Sequence, residues 1–239
     1  MGRIIEANHS IVLSPDVEPE VYPGLLDKLN GVEGLGGVKL GFELGLGLGL
    51  QSATEMTRAA LPGVKIVYDH QKAGNDIDAT GENFARTAAR GSVDAAILFP
   101  FNGPKVQERW TKELQDRGIE VITGGEMTHE QQSVEDGGYI PKASFMTIME
   151  EAFKLHVTNF VVPGNKPESV EKYRKFFDFI LGSGNYDLWS PGLVTQGGDI
   201  SETGAVAGER FHGIVGSGIY KAEDPRAAAI MLAQKALAL

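Results

Sequence analysis

The chain has no cysteine. Disulfide staples, thiolate nucleophiles and cysteine-ligated zinc are thereby excluded, and the lack agrees with a reducing, cytoplasmic setting. No apolar stretch approaches the roughly 18 residues of a membrane span. The first ten residues, MGRIIEANHS, lack the apolar core and small-residue cleavage site of a secretory signal, and Glu6 stands where a myristoylation signal carries Ser or Thr. Positive charge is also scarce: 22 Lys and Arg face 32 Asp and Glu, a net charge of −10. A general nucleic-acid binder needs a clustered basic surface, so an anionic ligand here must be attracted locally. The five histidines (His9, His70, His129, His156 and His212) show neither HxH nor HExxH spacing, so no metal site and no cofactor are expected.

What is present is a repeating alternation. Short aliphatic runs fall at 11–14, 37–42, 64–69, 93–99, 119–123, 159–162, 186–189 and 211–216. Segments of helical character fall at 20–30, 51–60, 80–90, 103–117, 142–157, 167–181, 201–208 and 224–238. In the sixth of these, Val170, Tyr173, Phe176, Phe177 and Ile180 recur at spacings of three and four, which marks one buried helix face. Strands alternating with helices imply parallel pairing through crossovers, and eight such units predict a single (β/α)8 barrel domain over 1–239. An open doubly wound sheet is the competing architecture, but no GxGxxG follows the first strand and no linker divides the chain. The Gly-Leu alternation at 44–50 reads as a loop after strand two, its leucines covering a barrel end, with an extended strand whose glycine face admits another backbone as the alternative.

Barrel chemistry gathers where the strands end. Those positions hold Asp16, Lys39, then Asp69, Lys72 and Asp76 in YDHQKAGNDI, and Glu126 to Thr128 after strand five. Charges at the end of a buried strand are costly unless they pair or serve chemistry. The loops after strands seven and eight, SPGLVTQGGD and GSGIY, are rich in glycine. In these two loops, amides of Gln196, Gly197, Gly198, Gly216 and Ser217 suit a phosphate, with the Thr195 hydroxyl nearby.

Taken in order, IVLSPD, VKLG, the Asp-Lys-Asp cluster, EMTH, VVPGNKPE, SPGLVTQGGD and IVGSGIYKAEDP resemble the orotidine 5′-monophosphate decarboxylase family from one end of the chain to the other. The resemblance implies a metal-free carboxy-lyase of pyrimidine biosynthesis that makes UMP, a homodimer with shared sites and a nucleotide substrate. It assigns Lys39, Asp69, Lys72 and Asp76 to a network of alternating charge, with Lys72 the proton donor and Asp76 reaching the neighbouring site. Asp16 and Lys39 match ribose ligands, Thr80 matches a ribose contact from the neighbouring subunit, Thr128 matches a serine that reads the pyrimidine edge, and Gln196 closes over phosphate and base.

Three departures stand out. The Asp69-Lys72-Asp76 cluster is two residues longer than the usual DxKxxD, Ser217 replaces the arginine that pairs with phosphate, and Asp78 replaces the proline of DIP. Lys166 and Lys221 are candidates to supply the missing cation. A sister group on the same barrel, the 3-keto-L-gulonate 6-phosphate decarboxylases and hexulose phosphate synthases, uses Mg2+ and carries a glutamate at the position of Lys39. A barrel that binds a phosphorylated ligand without turning it over is the non-enzymatic alternative.

Overall fold

A computed structural model describes residues 2–70 and 75–239. Eight parallel strands close in sequence order: β1 His9–Leu13, β2 Leu35–Leu40, β3 Lys65–Asp69, β4 Ala95–Leu98, β5 Glu120–Gly124, β6 Asn159–Val161, β7 Asp187–Ser190 and β8 Phe211–Val215. β8 returns to pair with β1, from His9 opposite Phe211 to Leu13 opposite Val215, so no sheet edge is left open. Each strand has side chains on both of its faces to bury, which is why the strands read as nearly unbroken apolar runs.

The helices are α1 Tyr22–Leu29, α2 Phe42–Leu44, α3 Leu50–Ala60, α4 Gly81–Arg90, α5 Pro104–Gln115, α6 Ala143–Lys154, α7 Pro167–Ile180, α8 Ile200–Ala207, α9 Ser217–Tyr220 and α10 Pro225–Leu237. Prolines open α5, α7 and α10, where a missing amide costs nothing. Asp199 and Asp224 cap α8 and α10 by accepting two backbone amides each. The apolar stripe of α7 buries Val170, Tyr173 and Phe177, and Phe177 stacks on Phe160 of β6 with ring centres 3.8 Å apart. Among the described residues, no helix is long and apolar enough to cross a membrane.

The Gly-Leu stretch is helical, which corrects the expected loop. A π-helical turn, Gly45–Gly49, joins α2 to α3. Leu44 is buried and Leu48 leans on the core, while Leu46 faces outward. Two of the glycines that suggested a loop have separate uses: a side chain at Gly47 would meet Pro19 Cγ at 2.7 Å, and Gly49 takes a φ of +79°. Period-two leucine spacing thus comes from a widened helix turn rather than from an extended chain.

Inside the barrel, Val12, Val67, Ala95, Ile97, Ile122, Val161, Trp189 and Ile214 form an apolar column, closed at the N-terminal end of the strands by Ile4 and Ile5. That plug is tied down by charge. Arg210 donates to the Ile5 carbonyl (2.9 Å) and to Asn8 Oδ1 (2.8 Å), and its Nε pairs with Asp187 at 2.6 Å. His212 sits between Ser10 Oγ (2.9 Å) and Asp187 Oδ1 (3.0 Å), and burial holds its imidazole below the usual histidine range. This end supports the barrel and leaves the opposite end for chemistry.

Candidate active site

Two inward-facing charges meet at the C-terminal ends of β2 and β3. Lys39 lies opposite Val67 in register, so Asp69, two residues further along β3 on the same face, comes within reach. Lys39 Nζ donates to Asp69 Oδ2, and the side chains are 5% and 0% exposed. The preceding inward position of β2 is Gly37, whose missing side chain leaves that layer to Val12. An ion pair so thoroughly desolvated is weak evidence for stability, and at the C-terminal end of the strands, where barrel chemistry gathers, it marks a candidate functional site.

Lys39 of this pair lines a cavity of about 300 Å³. Its walls divide by chemistry. Phe99, Val161, Leu193 and Ile214 give an apolar floor and side, while Asp16, Glu126, Thr128, Thr195, Gln196, Ser217 and Tyr220 supply polar groups around it. Asp16 accepts from Ser14 Oγ at 3.2 Å, and a side chain at Gly41 would crowd its Oδ1 to 2.9 Å. Tyr220 is held above the usual tyrosine range by burial, and further by the negative charges of Asp16 and Glu43. A cavity with apolar side chains on part of its wall and hydroxyls and charge on the rest can hold a small polar ligand.

The expected residues are not all brought here. Asp16, Lys39, Thr128, Gln196, Gly216 and Ser217 line the cavity. Asp69 lies behind Lys39, and Lys72 lies outside the described residues. Asp76 and Thr80 do not line this cavity, and both bond locally: Asp76 Oδ1 accepts the Ile77 amide at 2.7 Å, and Thr80 Oγ1 donates to the Ile77 carbonyl at 2.8 Å. Gly197 and Gly198 use their amides inside their own loop, on the carbonyls of Val194 (3.4 Å) and Gly192 (3.2 Å). That loop is strained, with Val194, a β-branched residue, at φ 66°.

Each sequence departure has a local setting. Ser217 Oγ donates to Thr195 Oγ1 at 3.1 Å, so two hydroxyls pair where a guanidinium is usual. Neither candidate substitute lines the cavity. Lys166 is engaged by Glu126 (3.4 Å) and the Met127 carbonyl (2.9 Å), and Lys221 lies 6.0 Å from the Tyr220 ring centre. Asp78 is neutralised by Lys105 of α5 at 2.8 Å, which holds its carboxyl below the usual range. His70 points outward from β3 into an aromatic nest, 4.2 Å from the Phe84 ring and 5.1 Å from Trp110, and its burial lowers its pKa. Trp110 also donates to the Ile77 carbonyl at 3.0 Å, linking α5 to the segment that carries Asp76.

Sequence reasoning did not single out Phe99, or show that Lys166, Ser169 and Tyr173 meet on Glu126. Their signal is weak: Phe99 is one apolar residue in a run of them, and its ring lies where a side chain on Gly124 would approach within 2.2 Å. Among the described residues, no group of three or more His, Asp or Glu side chains is arranged to hold a metal ion.

A polar cavity with a buried ion pair at the C-terminal end of a closed parallel barrel is the site of a (β/α)8-barrel enzyme. Residues 27–232 match the family model described as orotidine 5′-phosphate decarboxylase / HUMPS family, and the chain belongs to that family. It is 28% identical to an orotidine 5′-phosphate decarboxylase of Methanosarcina mazei, covering 97% of this chain and 96% of that protein. With the Methanosarcina barkeri protein of the same name it shares 30% identity, over 82% of this chain and 80% of the relative. In fold it is similar to the orotidine 5′-monophosphate decarboxylase of Methanocaldococcus jannaschii complexed with the inhibitor BMP, with a TM-score of 0.80 at 20% identity over 96% and 99% of the two chains. The Pyrococcus horikoshii enzyme superposes with a TM-score of 0.77 at 23% identity, over 96% of this chain and all of the other (100%).

Proposed function

We propose that this chain, a single-domain cytoplasmic enzyme, decarboxylates orotidine 5′-monophosphate to UMP without a metal. The observation that carries the reading is the desolvated Lys39–Asp69 pair beside the cavity, in a chain of this family. In the reaction the C6–carboxylate bond breaks, CO2 leaves, and the electron pair stays on C6 in the ring plane, where no π-system delocalises it. A positioned ammonium must stabilise that carbanion and then transfer its proton to C6. Lys72 takes this role. Asp69 opposes the substrate carboxylate in the ground state and is relieved when CO2 departs. Lys39 holds Asp69 in place and contacts the ribose together with Asp16, and Thr128 reads the base edge.

Asp76 and Thr80 act in the neighbouring site of a homodimer. That neither lines the cavity of its own barrel supports this. Ser217, Thr195, Gln196 and the backbone at Gly216 receive the phosphate.

The test is ultraviolet loss of orotidine 5′-monophosphate by purified protein in excess EDTA, with Lys72→Ala alongside. Turnover that survives EDTA and disappears in the variant supports the reading. A folded wild type that leaves the nucleotide intact refutes it, and turnover of a hexulose or pentulose phosphate with Mg2+ would move the chain to the sister activity.

A further inference from the structure

The four residues that carry Thr128 to the cavity are held from several sides by groups outside the reaction. Gln132 bridges them, its Nε2 donating to the Gly125 carbonyl (2.7 Å) while its Oε1 accepts the Met127 amide (2.7 Å). Lys166 Nζ donates to the Met127 carbonyl at 2.9 Å, and Asn165 Nδ2 donates to the Thr128 carbonyl at 3.1 Å. Lys166 is the N-cap residue of α7, so the loop after β5 is tied to the start of that helix.

Glu126 is what holds the lysine. Its carboxylate is buried and accepts from Lys166 (3.4 Å), Ser169 Oγ (3.1 Å) and Tyr173 OH (3.2 Å). Tyr173, buried and facing this negative charge, has its pKa raised well above the ordinary tyrosine value. A buried carboxylate demands a cation and hydroxyl donors, so Lys166 cannot swing into the cavity without leaving Glu126 uncompensated. The loop after β7 presses on the same spot: a side chain at Gly192 would lie 2.7 Å from Thr128 Cγ2, and φ there is +87°.

We propose that Glu126 and Lys166 are positioning residues for recognition of the base: they act through the backbone of 125–128 to hold Thr128 against the pyrimidine edge. This rests on the reading that the base lies against Thr128. It also gives Lys166 a use other than phosphate binding and sets the base end of the cavity apart from the phosphate end.

The two ends can be measured separately by calorimetric binding of UMP and of ribose 5-phosphate. Lys166→Met is expected to weaken UMP about tenfold while ribose 5-phosphate binding stays within twofold, because only the base contact is loosened. Glu126→Gln, which keeps the hydroxyl contacts but loses the charge that holds the lysine, should move the ratio the same way, and Lys166→Arg should restore it. A mere loss of packing would lower both affinities together, and that result overturns the proposal, as does an unchanged UMP affinity in Lys166→Met. A wild type that binds ribose 5-phosphate and UMP equally well overturns the base assignment itself. Binding of neither ligand removes the parent reading, and this inference with it.

Discussion

Replacing Lys39 with methionine should reveal how strongly Asp69 depends on it. The wild-type pair is almost sealed from water, with side chains 5% and 0% exposed, so the variant takes from a carboxylate in a dry site the ammonium that Lys39 donates to it. Loss of one partner of a buried pair costs about 3–5 kcal/mol. A second route sets a ceiling: Asp69 can escape by taking up a proton, and neutralising a carboxyl of ordinary pKa about 3.9 at pH 7 costs about 4 kcal/mol. The two figures agree. The second also fixes the pH dependence. In the variant the native state keeps a proton that the unfolded chain releases above about pH 4, so the penalty grows as pH rises, by up to about 1.4 kcal/mol per unit.

Urea unfolding of wild type, Lys39→Met and Lys39→Met/Asp69→Asn at pH 5 and 7 measures this. The single variant should lose about 3–4 kcal/mol at pH 7 and about 1–2 kcal/mol at pH 5, while the double variant, which removes both charges of this pair, recovers most of the loss without recovering activity. A penalty below about 1 kcal/mol that does not change with pH would refute the reasoning. It would mean that another cation already holds Asp69.

Two further outcomes follow from the rest of the molecule. Ser217→Arg would add a charged donor beside Thr195, and since a hydrogen bond to a charged group contributes about 1.5–3 kcal/mol, kcat/KM for orotidine 5′-monophosphate should rise roughly ten- to 150-fold; an unchanged value would show that the phosphate does not reach this hydroxyl pair. Acid stability should be limited by His212 and His70, both held neutral by burial. Their folded pKa values lie below the unfolded value of about 6.5, so the stability they contribute is complete above that pH and is lost as pH falls below it. Urea midpoints between pH 7 and 5 should show the loss, and His212→Gln should flatten it; an equal slope in that variant would place the loss elsewhere.

Much of this protein is written locally. Period-two and period-3.6 apolar patterns follow directly from backbone geometry, so the eight strands, the long helices and the closed parallel barrel are readable from one chain. The end of each strand is then readable as well, and with it Asp16, Lys39, Asp69 and Thr128 as residues at one end of the barrel.

Partnership across the barrel is not local. Lys39 and Asp69 are 30 positions apart, Glu126 and Lys166 are 40, and Arg210 and Asp187 are 23; each meeting depends on strand register and helix packing that the intervening residues do not encode. The same holds for the Gly-Leu stretch, an apparent loop that is a widened helix with Leu44 buried and Gly47 close against Pro19. Local pattern determined which residues face the barrel end. Only the tertiary structure decided which charges neutralise one another there, because desolvation makes a buried charge depend on its spatial neighbour rather than its neighbour in the chain.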